Sequence, residues 1–207
     1  MPAPVTHIVL ALSILPMLPD KNKEEFLIGT SFPDIRYLGT LTREQTHMSD
    51  PTWSSIIKES SSFKAGIEFH ALVDRIHDEY MSKHNAYNYI AAPDRLKSYI
   101  LKFYEDMLLY EYCTIWPEII NSFDIIVQDE LIFPHDKRSV KKWHNILQLY
   151  FSDRPDIIRL TTLLFGVGLA VPDMIKDIFQ KAVWGKGCSK LQGLIQSFYT
   201  EFPKLLS

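Results

Sequence analysis

Apolar residues recur at steps of three and four along almost the whole chain, as in Leu96, Ile100, Phe103 and Met107. This period places side chains on one face of an α-helix. A region with two glycines and one proline, residues 29–42, is better explained as an ordered loop. The sequence therefore predicts an all-α fold, with helices near residues 4–15, 23–30, 53–87, 94–112, 116–130, 137–151, 155–167, 172–184 and 188–201.

The size and charge of the chain limit its organisation and its partners. A chain of 207 residues with 46% hydrophobic and 23% charged residues is expected to form one domain, a multi-helix bundle spanning 1–207. A net charge of −3 gives no basic footprint for double-stranded nucleic acid. Cys113 and Cys188 have no metal-ligand spacing and are expected to serve packing, with a disulfide left open.

Membrane insertion and export are also disfavoured by the sequence. No stretch reaches 18 uninterrupted apolar residues, so we expect no membrane span. The apolar start of the chain has no Lys or Arg before it and contains His7, unlike a signal peptide. We expect a cytoplasmic protein, or one that is exported without a cleaved signal peptide.

A stripe of polar residues interrupts the apolar face of the helix predicted at 53–87. His70, Asp74, His77 and His84 follow one another at steps of four, three and seven residues, which places them along one side of a helix. The same stripe continues backwards to Ile67, an ordinary core residue, so the polar groups are expected to point inward. Buried His and Asp side chains need partners, and a metal ion is one that satisfies several at once.

Three further residues of ligand type lie upstream, namely His7, Asp34 and His47. Imidazoles and carboxylates are ligands that suit zinc and other first-row divalent ions. The alternative is ordinary packing, because a single His on an apolar helical face is usually a satisfied core residue. The combined set favours a metal site in the N-terminal half, about residues 1–90, with a helical remainder at about 91–207.

The order of these motifs resembles the zinc-dependent phospholipase C family, whose fold is shared with the P1-type nucleases. The resemblance covers roughly the first 85 residues. It is carried by Thr6-His7, Gly29-Thr-Ser-Phe-Pro-Asp34, Thr46-His47, His70-Ala-Leu-Val-Asp74 and His77.

This resemblance implies an all-helical bundle that holds one to three zinc ions. Asp34, His47, His70 and Asp74 match the ligands of one zinc, and Asp74 also matches a bridging carboxylate. His7 matches a ligand of a second site.

His77 matches a ligand of a further site, which the family closes with a His-x-x-x-Glu pair. That pair is missing downstream of His77 in this chain. Placement alone makes His84, Glu79, Glu105 and Asp106 candidates to replace it, with solvated helix-surface charge as the alternative for each.

A second resemblance covers a shorter stretch. Residues 66–75 are also similar to the acyl carrier protein phosphodiesterases, helical metal-dependent hydrolases related to the HD group. His77-Asp78 supplies an HD doublet for this alternative. The HD arrangement explains Asp34 and His47 less well.

Both resemblances imply hydrolysis of a phosphodiester substrate, either a lipid or a small molecule. Asp34 is then the candidate general base. Arg36, Arg43 and Arg75 are candidates to bind phosphate oxygens, with surface ion pairs as the alternative. A different hypothesis is a non-catalytic helical interaction protein with a residual metal site or none.

The C-terminal part of the chain carries no residues of catalytic type. His135 and His144 occur among Lys and Arg residues and are expected to belong to a solvated basic face. The sequence leaves the substrate and the oligomeric state open.

Overall fold

A computed structural model describes residues 3–39, 41–47, 50–133, 136–168, 172–185 and 187–206. Over these residues the chain is all-helical and contains no strand, which confirms the predicted fold class. The α-helices are α1 (Pro4–Ile14), α2 (Lys23–Ser31), α3 (Arg43–Thr46), α4 (Trp53–Lys58), α5 (Ser62–Lys83), α6 (Asp94–Leu109), α7 (Trp116–Ser122), α8 (Lys137–Phe151), α9 (Ile157–Gly166), α10 (Pro172–Gly185) and α11 (Ser189–Glu201).

Two predicted helices are shorter than expected. The helix predicted at 53–87 is divided, because Glu59 leaves helical geometry and the Ser61 side chain starts α5 by accepting the Lys64 backbone N–H. The helix predicted at 116–130 ends at Ser122. The chain after Ser122 leaves the helix and places Glu130 beside His144 of α8. The spacing of the apolar residues does not reveal this change of direction.

The region predicted as an ordered loop contains a short 3-10 helix, Phe32–Leu38, directly after α2. This segment carries Asp34. Trp143 of α8 fixes its start, since the indole N–H donates to the carbonyl oxygen of Ser31 at 3.0 Å.

The closest helix contact in the fold joins α2 to α5. A Cβ on Gly29 would lie 2.0 Å from the carbonyl oxygen of Phe63, and one on Gly66 would lie 2.3 Å from that of Phe26. Only glycine permits this approach. It brings the end of α2 against the middle of α5, where His70 and Asp74 lie.

The start of α1 is held by a carboxylate from α6. Asp106 is fully buried and accepts the backbone N–H groups of Val5 and Thr6 at 3.1 and 2.8 Å, together with the hydroxyls of Thr6 and Tyr150. An acceptor at this position satisfies donors that a helix start leaves unpaired. His7 follows directly, so Asp106 fixes the turn that carries it.

The buried apolar side chains of all these helices except α3 form one contiguous core. No helix within the described residues is long and apolar enough to cross a membrane. Cys113 and Cys188 are free thiols.

Candidate metal centre

Five of the predicted ligand residues meet at one place in the bundle. Among the described residues there are two groups of three residues, and within each group the ligand-type atoms lie within 4.8 Å of one another. One group is His7, His70 and Asp74, and the other is Asp34, His47 and His70. His70 belongs to both groups. Residues from α1, from α5 and from the segments around α3 therefore converge, although they are distant in sequence.

The Asp74 carboxylate lies at the middle of three imidazoles. Its oxygens are 3.4 Å from His7 Nε2, 3.6 Å from His47 Nε2 and 3.7 Å from His70 Nε2. Two donors bound to one zinc at about 2.0–2.1 Å in tetrahedral geometry are separated by about 3.4 Å. The separations in this cluster match that spacing, and they exceed the usual length of a hydrogen bond.

The inward-facing atoms of the cluster have no hydrogen-bond partner among the described residues. These atoms are Nε2 of His7, His47 and His70, Oδ1 of Asp34 and both carboxylate oxygens of Asp74, and Nδ1 of His7 is unpaired as well. Unpaired buried polar atoms are costly, and so many in one place are rare in folded proteins. A cation at their centre satisfies them together, so these residues fit a metal ion.

The outward-facing nitrogens of two of the histidines do have partners. His70 Nδ1 donates to the carbonyl oxygen of Thr30 at 2.8 Å, and His47 Nδ1 lies 3.0 Å from Thr46 Oγ1. Such bonds fix the tautomer of a metal-binding histidine and leave its other nitrogen available. The sequence did not predict these roles of Thr30 and Thr46. A backbone carbonyl such as that of Thr30 gives no sequence signal, whereas Thr46 directly precedes His47 and could have been considered.

The electrostatics of the cluster favour neutral His7 and His47 beside an ionised Asp74. Burial, followed by the charge of His70, lowers the pKa of His7 from 6.5 to about 4. Burial also lowers the pKa of His47. Burial alone would raise the pKa of Asp74, but the surrounding His70, His47 and His7 hold it below its ordinary value. These are the protonation states in which the groups bind a metal.

The cluster borders an open polar cleft of about 640 Å³, whose wall includes Arg43, His47, Asp74 and Arg75. Arg43 lies 3.6 Å from Asp74 with half of its side chain exposed. Arg75 donates to the carbonyl oxygen of Pro51 at 2.9 Å.

Arg36 has a different position from these two arginines. Its Nη2 lies 3.5 Å from Asp34 and donates to the Tyr37 hydroxyl at 2.9 Å, and its guanidinium lies over the Tyr37 ring. Arg36 therefore holds Asp34 in place, whereas Arg43 and Arg75 face the cleft.

The structure does not bring His77 and His84 into this cluster. His77 Nε2 donates to Glu105 Oε1 at 2.8 Å, and its Nδ1 lies 3.4 Å from Asp78. Seven residues of helix separate His77 from His70, which is about 10 Å along the axis. His84, at the end of α5, contacts the Tyr80 carbonyl oxygen through Nδ1. All four residues of the stripe lie on one side of the helix, but only His70 and Asp74 are at the level of the cluster.

Three expectations of surface charge are wrong. Glu105 and Asp106 are buried at 1% and 0% exposure. His144 is also buried, with Nδ1 3.0 Å from the Phe123 carbonyl oxygen and Nε2 2.8 Å from Glu130 Oε1. The outer face of α8 carries the basic residues, while His144 lies on its inner face. His135 lies outside the described residues.

Comparison of the chain with protein-family models, curated proteins and solved structures gives no match. The function is therefore argued from the geometry of this cluster.

Proposed function

We propose that the protein is a metal-dependent phosphoester hydrolase, with zinc as the preferred ion, and that its bundle is of the phospholipase C/P1 nuclease type. One observation carries the proposal. Five residues of ligand type, three of them buried and two partly buried, direct unpaired atoms at one another beside an open cleft that contains two arginines.

His7, Asp34, His47, His70 and Asp74 are the residues that would hold the metal. Asp34 completes the group of His47 and His70, whereas His7 completes that of His70 and Asp74. A bound divalent ion supplies Lewis acidity, which acidifies water and neutralises negative charge on a phosphoryl group.

The protein side chains supply binding and proton transfer. Arg43 and Arg75 border the cleft and are placed to bind the oxygens of an anionic phosphoester. Asp34 lies within 4.8 Å of its neighbouring ligand atoms and accepts the proton of the attacking water. The Arg36 guanidinium lies 3.5 Å from Oδ1 of this carboxylate and helps to orient it.

Two features support catalysis rather than a purely structural ion. Structural zinc sites are usually closed by four protein ligands, whereas catalytic sites keep a position open. Here His47 and Asp74 both reach the wall of the cleft. The HD-like alternative is less well supported, because His77 of the doublet pairs with Glu105 instead of joining the cluster.

Hydrolysis of methyl p-nitrophenyl phosphate tests the proposal. We expect the zinc-loaded protein to release nitrophenol, to stop after chelation and to recover when zinc is added back. His70→Ala and Asp34→Asn should each lose the activity. His84→Ala is the matched control and should keep it, because that ring lies outside both ligand groups and bonds to the Tyr80 carbonyl oxygen.

Each alternative outcome has a defined meaning. Tight zinc binding without hydrolysis of any phosphoester would support the non-catalytic metal protein. Hydrolysis that survives chelation, or that His70→Ala leaves intact, would contradict the proposal.

A further inference from the structure

A second, apolar cavity adjoins the metal centre at Asp34. Its volume is about 80 Å³, and it lies between the start of α1 and the helices α6, α8, α9 and α10. Among the residues of its wall are Asp34, Phe103, Trp143, Leu160, Leu163 and Leu164. Asp34 thus borders this cavity while its carboxylate lies within 4.8 Å of the ligand atoms of His47 and His70.

Besides Asp34, the wall includes the polar side chains of Tyr37, Tyr99, Lys102 and Tyr150, and these have contacts within the protein: the Lys102 ammonium lies 5.9 Å from the centre of the Tyr99 ring. The Tyr150 hydroxyl donates to Asp106 at 2.9 Å, and the Tyr37 hydroxyl accepts from Arg36 at 2.9 Å. Three leucines of α9 and the rings of Phe103 and Trp143 make up much of the remaining surface. A surface of this kind favours an apolar group over a polar one.

The position of the cavity indicates what occupies it. An anion in the polar cleft would adjoin the ligand cluster at His47 and Asp74, and an apolar group in the cavity would adjoin it at Asp34. A single molecule satisfies both surfaces if it carries an apolar substituent on its phosphoryl group. A cavity of about 150 Å³ holds benzene. About half of that volume leaves room for roughly three or four carbon atoms.

We propose that this cavity binds a short apolar substituent of the phosphoester, of about three or four carbons, and thereby sets the substrate class. The inference rests on the proposed function, since it needs the phosphoryl group at the metal centre. It predicts preference for short alkyl esters over methyl esters, and no added benefit from a long chain.

Alkylphosphonates provide a test that does not depend on hydrolysis. Methyl-, propyl-, butyl- and octylphosphonate are titrated calorimetrically into the zinc-loaded protein. Each buried methylene is expected to raise affinity about fourfold, so propylphosphonate should bind about 15-fold more tightly than methylphosphonate. Octylphosphonate should gain nothing over butylphosphonate.

Substitutions on α9 connect this gain to the cavity. Leu163 lines the cavity and is only partly buried, so Leu163→Trp is expected to fill the space and remove the chain-length dependence while methylphosphonate still binds. Ile158→Trp is the matched control on the same helix. Ile158 is 63% exposed and lies outside the cavity wall, so this variant should behave like the wild type.

A third variant keeps the test decisive if Leu163→Trp fails to fold. Leu163→Ala enlarges the cavity and should move the optimum towards longer chains. Equal binding of methyl- and propylphosphonate to the zinc-loaded wild type would overturn the inference and leave the hydrolase proposal standing. If none of the phosphonates binds although zinc is bound, the phosphoryl site itself is wrong and both proposals fall.

Discussion

The metal-centre cluster and the two buried His–carboxylate pairs are built from the same residue types, yet they differ in one respect. His77–Glu105 and His144–Glu130 meet at 2.8 Å, which is hydrogen-bond distance. The imidazoles around Asp74 stay 3.4–3.7 Å from its oxygens, and their inward atoms are unpaired within the described residues. Burial and residue type therefore do not distinguish the two environments, whereas the separation and the pairing of their atoms do.

The difference has a simple physical basis. In each pair the imidazole and the carboxylate form a direct hydrogen bond, although Glu105 Oε2 has no partner among the described residues. The three imidazoles around Asp74 lie beyond that distance and leave their Nε2 atoms unpaired within the described residues. We expect the pairs to contribute to stability and propose that the cluster holds a cation. Substitutions in the pairs should therefore change the stability of the fold, whereas substitutions in the cluster should change zinc affinity.

The largest expected effect is on stability, from breaking a pair. Glu130→Leu leaves His144 Nε2 and the Val127 backbone N–H without their partner, and each unsatisfied group typically costs about 1–3 kcal/mol. Denaturation by urea should show this loss in the free energy of unfolding. Zinc affinity should stay at the wild-type value, and a loss of zinc binding would mean that the two environments are not independent.

Removing a proposed ligand from the cluster should lower zinc affinity more than it lowers the free energy of unfolding. Structural zinc sites bind with roughly 10–16 kcal/mol over four ligands, so His70→Ala is expected to lower zinc affinity by about 100-fold or more. Competition against a chromogenic chelator measures it. An unchanged affinity would remove His70, the residue shared by both groups, from the site.

The outward hydrogen bonds of the cluster should matter less than the ligands. Thr46→Val removes the hydroxyl beside His47 Nδ1 and is expected to lower zinc affinity by about 10–100-fold. Thr161→Val, whose hydroxyl bonds only to the Ile157 carbonyl oxygen among the described contacts, is the matched control. Equal effects from both variants would argue against a role for Thr46 in orienting His47.

The smallest effect concerns the pH dependence of the His77 pair. Burial lowers the pKa of His77, but Glu105 and then Asp78 outweigh it and raise the pKa above 6.5. Protonated His77 therefore stabilises the fold below pH 6.5, and this contribution is lost as pH rises through the higher folded pKa. The slope is at most about 1.4 kcal/mol per pH unit.

Comparison of the wild type with His77→Gln isolates that contribution. The difference in unfolding free energy should be largest at acidic pH and should shrink as pH rises. A difference that instead grows with pH would reverse the assigned sign and count against a charged His77.

The sequence predicted helical content well, because the period of apolar residues is a local property. It missed the break at Glu59, where the serines that follow supply a helix start inside an otherwise continuous pattern. It also missed the end of α7 at Ser122, after which the chain places Glu130 beside His144 of α8. Contacts between distant residues leave no trace in the spacing.

For the site, the sequence identified His7, Asp34, His47, His70 and Asp74 as candidate ligands, and the structure brings them together. It placed His77 and His84 on the same stripe, which was correct for the side of the helix but ignored the rise along its axis. The carboxylates that bond Nε2 of His77 and of His144, those of Glu105 and Glu130, come from other parts of the chain. Only the folded chain separates paired histidines from unpaired ones.

The central claim is that the Asp74 cluster is a metal site, and the zinc content of the folded protein tests it most directly. The wild type is loaded with zinc, dialysed against zinc-free buffer and analysed by elemental mass spectrometry. We expect at least one zinc per chain in the wild type and in His84→Ala, and its loss in His70→Ala. A wild type that is folded and retains no zinc would contradict the claim.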